Sequence, residues 1–246
     1  MSKIFRYDFK IILLKPYVFA MMVITLIYAY FMLSSQVILG VSCTAPFSGW
    51  SFGKYLGDTT LVSVLVTLFV LSTMYSKKQK RVSILADVTG FPVQKRMIIK
   101  NIIIGSFFII LNLLVFAEGV IFLWSIFGKV YLSTYILDWF LITVPCLVFV
   151  LGVGNLLGKI SPAFIYIFMG VVIVMSFALR EYGVDINGAN YFEVVSAALE
   201  TLKGGETPFT ITPGYLCTRM AYLFIGIIML IVVSLKKGEK SRKESY

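Results

Sequence analysis

Few side chains in this sequence could carry chemistry, and they are scattered. The chain has no histidine, and its three cysteines, Cys43, Cys146 and Cys217, lie far apart without paired spacing. Histidine-based catalysis and Cys/His metal sites are therefore excluded, and the cysteines read as apolar filler. One acid, Glu118, falls deep inside an apolar run, six residues after Asn112. A carboxyl in that setting is a candidate proton carrier or substrate contact; the plainer alternative is a carboxyl that faces a neighbouring helix or reaches the outer headgroups. Six residues place the two side chains about 120° apart around a helix, so they do not form one site. The string GVGNLLGKIS at residues 152–161 has the look of a phosphate-binding loop. Val153 stands where its first glycine belongs, however, and Ile160 follows Lys159 in place of Ser or Thr, so the chain is expected to bind no nucleotide.

The elements that must position these residues are dictated by composition. Of 246 residues, 59% are hydrophobic and 14% charged, with a mean hydropathy of +0.92, more apolar than a water-soluble core of this size requires. The expected fold is an all-α integral membrane protein in the lipid bilayer. The net charge of +10 sits in short segments between apolar runs and reads as orientation charge, with no nucleic-acid partner.

In chain order, residues 1–16 place Lys3, Arg6 and Lys10 on one helical face and Phe5, Phe9 and Ile12 on another, which predicts an amphipathic interfacial helix ending at Pro16. Six spans are expected at residues 17–39, 59–76, 98–124, 135–157, 162–179 and 215–235. The first is too long for the apolar core of a signal peptide. The fourth contains Pro145, which is expected to kink it, and Gly154 with Gly158, a small-xxx-small pair that suits close helix approach or, more sharply, a gating hinge. Between the first two spans, Pro46, Gly49, Trp50 and Lys54 suit a short outer loop. The outer segment 180–214 carries a predicted short helix from Asn190 to Leu202 and an acidic rim, and the tail 236–246 is basic and reads as disordered.

Charge decides the expected orientation. With the amino terminus inside, 17 of the 22 Lys and Arg residues fall in inner segments and five, Lys54, Lys129, Arg180, Lys203 and Arg219, at outer ends, which predicts six spans with both termini cytoplasmic. Trp50, Trp124 and Trp139 then fall at the outer interface. Cys43 and Cys217 share that side.

The longest charged segment, KKQKRVSILADVTGFPVQKRMIIK at residues 77–100, joins spans two and three and so faces the cytoplasm. Val82, Leu85 and Val88 recur at helical spacing before Gly90 and Pro92 break the pattern, which predicts a short amphipathic helix in the cytoplasmic loop 77–97.

An amino-terminal interfacial helix, six spans, a charged loop with a proline followed by basic residues, and a large outer segment before the last span together resemble the permease subunit of a type 2 ABC exporter. The residues that carry the resemblance in the loop are Leu85, Asp87, Pro92, Val93, Lys95 and Arg96. Gly90 and Phe91 depart from the family pattern, and the loop holds no glutamate. The resemblance implies that Val82, Leu85, Asp87, Val88, Pro92, Lys95 and Arg96 couple the chain to two cytoplasmic ABC ATPase subunits. It also implies a second permease copy or related permease, ATP and Mg in the partner ATPase with no cofactor in this chain, and residence in a bacterial plasma membrane. The chain would then be a transport subunit without enzymatic activity, moving an amphipathic cargo (a peptide, lipid or drug) outward. Asn112, Glu118, Pro145 and Gly154 are its candidate pathway or hinge residues.

Other classes fit less well. An intramembrane protease needs a catalytic constellation this sequence lacks, and a secondary transporter should show internal repeats and several intramembrane charges. A non-transporting membrane sensor or immunity protein that binds a cytoplasmic partner through residues 77–100 stands as the alternative.

Overall fold

The computed structural model describes residues 2–39, 46–76, 93–128, 130–178, 186–189 and 211–243. Among them the chain is all-helical. Helix α1 spans Ser2–Ile12, α2 Pro16–Phe31, α3 Gly49–Met74, α4 Val93–Phe127, α5 Leu132–Ile160, α6 Pro162–Ala178 and α7 Pro213–Lys243, and a π-helical turn, Met32–Gln36, extends α2. Proline opens α2, α6 and α7, where its missing N–H and fixed φ are no cost.

Five stretches, Pro16–Gln36, Gly49–Met74, Lys95–Phe127, Leu132–Ile160 and Pro213–Ser234, are long and apolar enough to cross a membrane, compatible with a multi-pass membrane protein. Helix α6 is a shorter apolar helix of 17 residues.

Helix α3 is the hub, packing against α2, α4, α5 and α6, and it is the most enclosed of the long apolar helices. Its sequence explains why. Gly53, Gly57, Ser51, Thr59, Thr60, Ser63 and Thr67 are small enough to admit neighbouring backbones, the strategy of helix pairs in lipid. Several of their hydroxyls are satisfied within the helix: Thr59 donates to the Tyr55 carbonyl at 2.8 Å and Thr67 to that of Ser63 at 2.7 Å. By contrast α2, α4, α6 and α7 leave faces of Phe, Ile, Leu and Val exposed, such as Phe19, Ile121, Ile167 and Phe224. A hydrocarbon solvent accepts such faces at no cost.

The buried apolar residues fall into two clusters stacked along the bundle. One gathers Leu68 and Leu71 of α3, Ile103 and Phe108 of α4, Val150 of α5 and Val172 of α6. The other gathers Leu33, Phe52, Leu56, Val115, Leu123, Tyr135 and Ile142. Between them along the chain lie buried polar residues: Thr59, Thr60 and Ser63 on α3, Asn112 on α4 and Thr143 on α5.

Several expectations change at helix ends. The outer loop expected before span two is shorter, because α3 starts at Gly49 with Ser48 as its cap, the Ser48 hydroxyl accepting from the Ser51 N–H at 3.2 Å. Trp50 and Lys54 thus belong to the helix. Helix α4 begins at Val93, so the last residues assigned to the cytoplasmic loop are helical, and Lys100 is buried. The tail is helical as far as Lys243.

Of the three tryptophans assigned to the outer interface, Trp124 is 68% exposed, whereas Trp50 is packed in the core. Trp139 donates its indole N–H to the Asn112 carbonyl at 3.2 Å, a buried acceptor that draws it inward. The predicted helix from Asn190 to Leu202 and the residue Cys43 lie outside the described residues. Cys146 is buried and Cys217 is exposed.

Candidate functional site

The coupling residues inferred from the sequence divide. Val82, Leu85, Asp87, Val88 and Pro92 lie outside the described residues; Lys95 and Arg96 sit in the first turns of α4. Lys95 is exposed, and Arg96 is half-buried with its Nη1 lacking a hydrogen bond. Helix α1 lies against this end of the bundle. Its Ile12 joins the same buried cluster as Met74, the last residue of α3, and Ile99 of α4. These are the helix ends that bracket residues 77–92. Helix α1 also buries Asp8 where it packs on α3 and α4, a burial that the amphipathic pattern of its charged and apolar faces did not reveal.

Asn112 and Glu118 are placed differently from each other. The Asn112 amide donates to the Phe108 carbonyl at 2.9 Å and its Oδ1 accepts from the Thr60 hydroxyl at 3.3 Å, so it ties α4 to α3 at the polar layer. Glu118 lies beside the α3 contact, one turn beyond Val115, whose carbonyl accepts from the Tyr55 hydroxyl at 2.9 Å. Its Oε2 is buried without a hydrogen bond. An unsatisfied carboxyl oxygen in a membrane-spanning helix is costly to keep.

Pro145 is buried inside a continuous α5. Gly154 and Gly158 face α3: a Cβ on Gly154 would lie 2.4 Å from Leu71 Cδ2, and one on Gly158 would lie 2.4 Å from the Tyr75 ring. Close helix approach is the use the structure makes of this pair. Next to it, Asn155 accepts from the Tyr75 hydroxyl at 2.6 Å and donates to Asn101 Oδ1 at 3.0 Å, joining α3, α4 and α5 through one amide.

The most elaborate polar constellation involves residues that sequence reasoning treated as outer orientation charge or loop. Residues 186–189 are buried among the helices. Asn187 donates to the Gly57 carbonyl of α3 at 2.9 Å and accepts from Ser176 of α6 at 2.8 Å. Gly188 has φ of +83°, a conformation that favours glycine, and a side chain on Gly57 would strike the backbone of Gly188 and Ala189 at 2.9 Å. Arg219 of α7 is fully buried and donates to the Ile186 carbonyl at 3.0 Å, with its guanidinium 4.9 Å from the Tyr215 ring and 5.5 Å from that of Tyr222. Asp138 of α5, the helix most closely joined to α7, is also fully buried. The sequence signal for Arg219 was an arginine four residues after Tyr215 and three before Tyr222, inside an apolar run.

No cluster of three or more metal-ligating side chains occurs among the described residues. No protein-family model matches the sequence, and neither a curated protein nor a solved structure gives a significant match.

Proposed function

We propose that this chain is the membrane-spanning permease subunit of an ATP-driven exporter of the type 2 ABC class. The supporting observation is the packing of α1 on the ends of α3 and α4 that bracket the basic segment 77–92. An amphipathic helix held there would give a cytoplasmic motor a surface to push against, and the long helices α3 and α4 would carry the displacement through the bilayer. In this reading α6 is a sixth span, both termini are cytoplasmic as the bias of Lys and Arg favours, and the membrane is a bacterial plasma membrane.

ATP and Mg would be bound by two separate ATPase subunits. Two permeases, identical or related, would enclose a path whose apolar walls suit an amphipathic peptide, lipid or drug. Residues 186–189, held by Asn187 and Arg219, would close the outer end, and their release would open it.

The test is ATP hydrolysis by the reconstituted chain with its ATPase. Leu85→Asp and Pro92→Ala should lower the hydrolysis that the permease stimulates. Unchanged hydrolysis with both variants would overturn the coupling role, and binding of a cytoplasmic partner through 77–100 without any transport would favour the sensor alternative.

A further inference from the structure

Helices α4, α5 and α7 do not close completely on one another. They leave an open cleft of about 380 Å³ lined chiefly by Ile98, Asn101, Ile102, Leu151, Ile231 and Ser234. The volume is that of a small-ligand pocket. The cleft lies toward the beginning of α4 and the Ser234 end of α7, the cytoplasmic half in the orientation proposed above. Ile98, Ile102 and Ile231 are each about half exposed, so the opening faces outward from the bundle.

Two polar groups interrupt the apolar lining. The Ser234 hydroxyl is satisfied by the Ile231 carbonyl at 2.7 Å. The Asn101 side chain has a hydrogen bond only through its Oδ1, to Asn155, among the described residues. Its amide N–H groups thus remain available at a depth where hydrocarbon offers no acceptor. Toward its inner end the cleft meets a cation: Lys95 is exposed on the same helical stripe as Ile98 and Ile102.

We infer that this cleft holds one acyl chain of an anionic phospholipid, with an ester carbonyl accepting from Asn101 and the headgroup phosphate meeting Lys95. The spacing suits the molecule: six residues separate Asn101 from Lys95, about 9 Å along the helix, and a lysine stem extends to place its ammonium at headgroup level. Basic pockets between spans on the cytoplasmic side select anionic headgroups by the same physics. The inference rests on the membrane-spanning orientation proposed above, and it does not depend on export.

The test uses the delipidated full chain in detergent, titrated with phosphatidylglycerol or phosphatidylcholine of identical acyl chains and read by native mass spectrometry and thermal melting. Phosphatidylglycerol should bind at one site and raise the melting temperature more than phosphatidylcholine. Ile102→Trp, which fills the cleft from a half-exposed position, should weaken that site by about tenfold or more. Lys95→Gln should erase the preference between the two lipids. Ile121→Trp, at the far end of α4, should change neither and so controls for general damage. Equal binding of both lipids that Ile102→Trp leaves intact would overturn the assignment, as would a melting shift reproduced by inorganic phosphate alone. Crosslinking of Ile102→Cys between two chains in vesicles would do so too, since a second copy would then occupy the cleft. Because none of these readouts involves ATP, failure here is distinguishable from failure of the exporter reading.

Discussion

Gly152 of α5 and Gly226 of α7 meet backbone to backbone: a Cβ built on Gly152 would lie 2.6 Å from the Gly226 carbonyl oxygen, and one on Gly226 would lie 2.6 Å from the Phe149 nitrogen. Backbone cannot step aside as a long side chain can. Gly226→Val should therefore force α5 and α7 apart and destabilise the protein by about 1–3 kcal/mol, the usual cost of overpacking. Thermal melting in detergent checks this. Gly170→Val is the control, since a Cβ at Gly170 meets nothing within 4 Å.

The Asn155 amide joins three helices, accepting from Tyr75 and donating to Asn101. Asn155→Leu strands both partners, and the expected loss is about 1–2 kcal/mol. Tyr75→Phe removes one interhelical bond and should cost about 0.6 kcal/mol, a common value in membranes. Denaturant titrations of both variants and of the double mutant give the coupling. An additive double mutant would show that the two side chains do not act as a unit.

Arg219 anchors the buried segment 186–189 through the Ile186 carbonyl. Arg219→Leu removes a hydrogen bond from a charged donor, worth about 1.5–3 kcal/mol, so the segment should open roughly tenfold more often or better. Ala189→Cys, introduced where the chain is now buried, reports that opening through its labelling rate with a membrane-impermeant maleimide, after the native cysteines are replaced by serine. A labelling rate unaffected by Arg219→Leu would show that Asn187 and its partners hold the segment unaided.

Glu118 keeps a buried carboxyl oxygen without a hydrogen bond. Replacing it with an apolar residue of similar volume removes that desolvated group, so Glu118→Met should melt higher than the parent. A lower melting temperature would mean that the carboxylate contributes to stability. If transport falls while stability rises, the acid is retained for function at the expense of the fold, a pattern common to active sites.

Much of the architecture was legible because lipid imposes a simple rule, that a long apolar run must be a helix. The segments around Leu111, Val150 and Ile228 announced themselves in that way. Boundaries failed where polar residues enter a helix for packing: Gly49–Asp58 reads as loop by its Ser, Gly, Lys and Asp content, yet it forms the first turns of α3 against Phe116 and Tyr135.

Gly154 and Gly158 were readable as contact points, since their spacing alone puts both on one face. Arg219 was not, because a basic residue near the end of a span counts as an orientation charge until the structure shows a chain segment folded back onto it. The burial of residues 186–189 depends on contacts with Gly57, Ser176 and Arg219, which are distant in sequence, and no local pattern encodes it.

The hydroxyl and amide layer between the two apolar clusters has a mechanical consequence. Interlocked Leu and Phe side chains resist sliding, because any displacement opens voids, whereas Thr59, Thr60, Ser63, Asn112 and Thr143 can exchange one partner for another at similar cost. Bending would concentrate at that level, leaving each end of the molecule to turn as a stiff block about a soft waist.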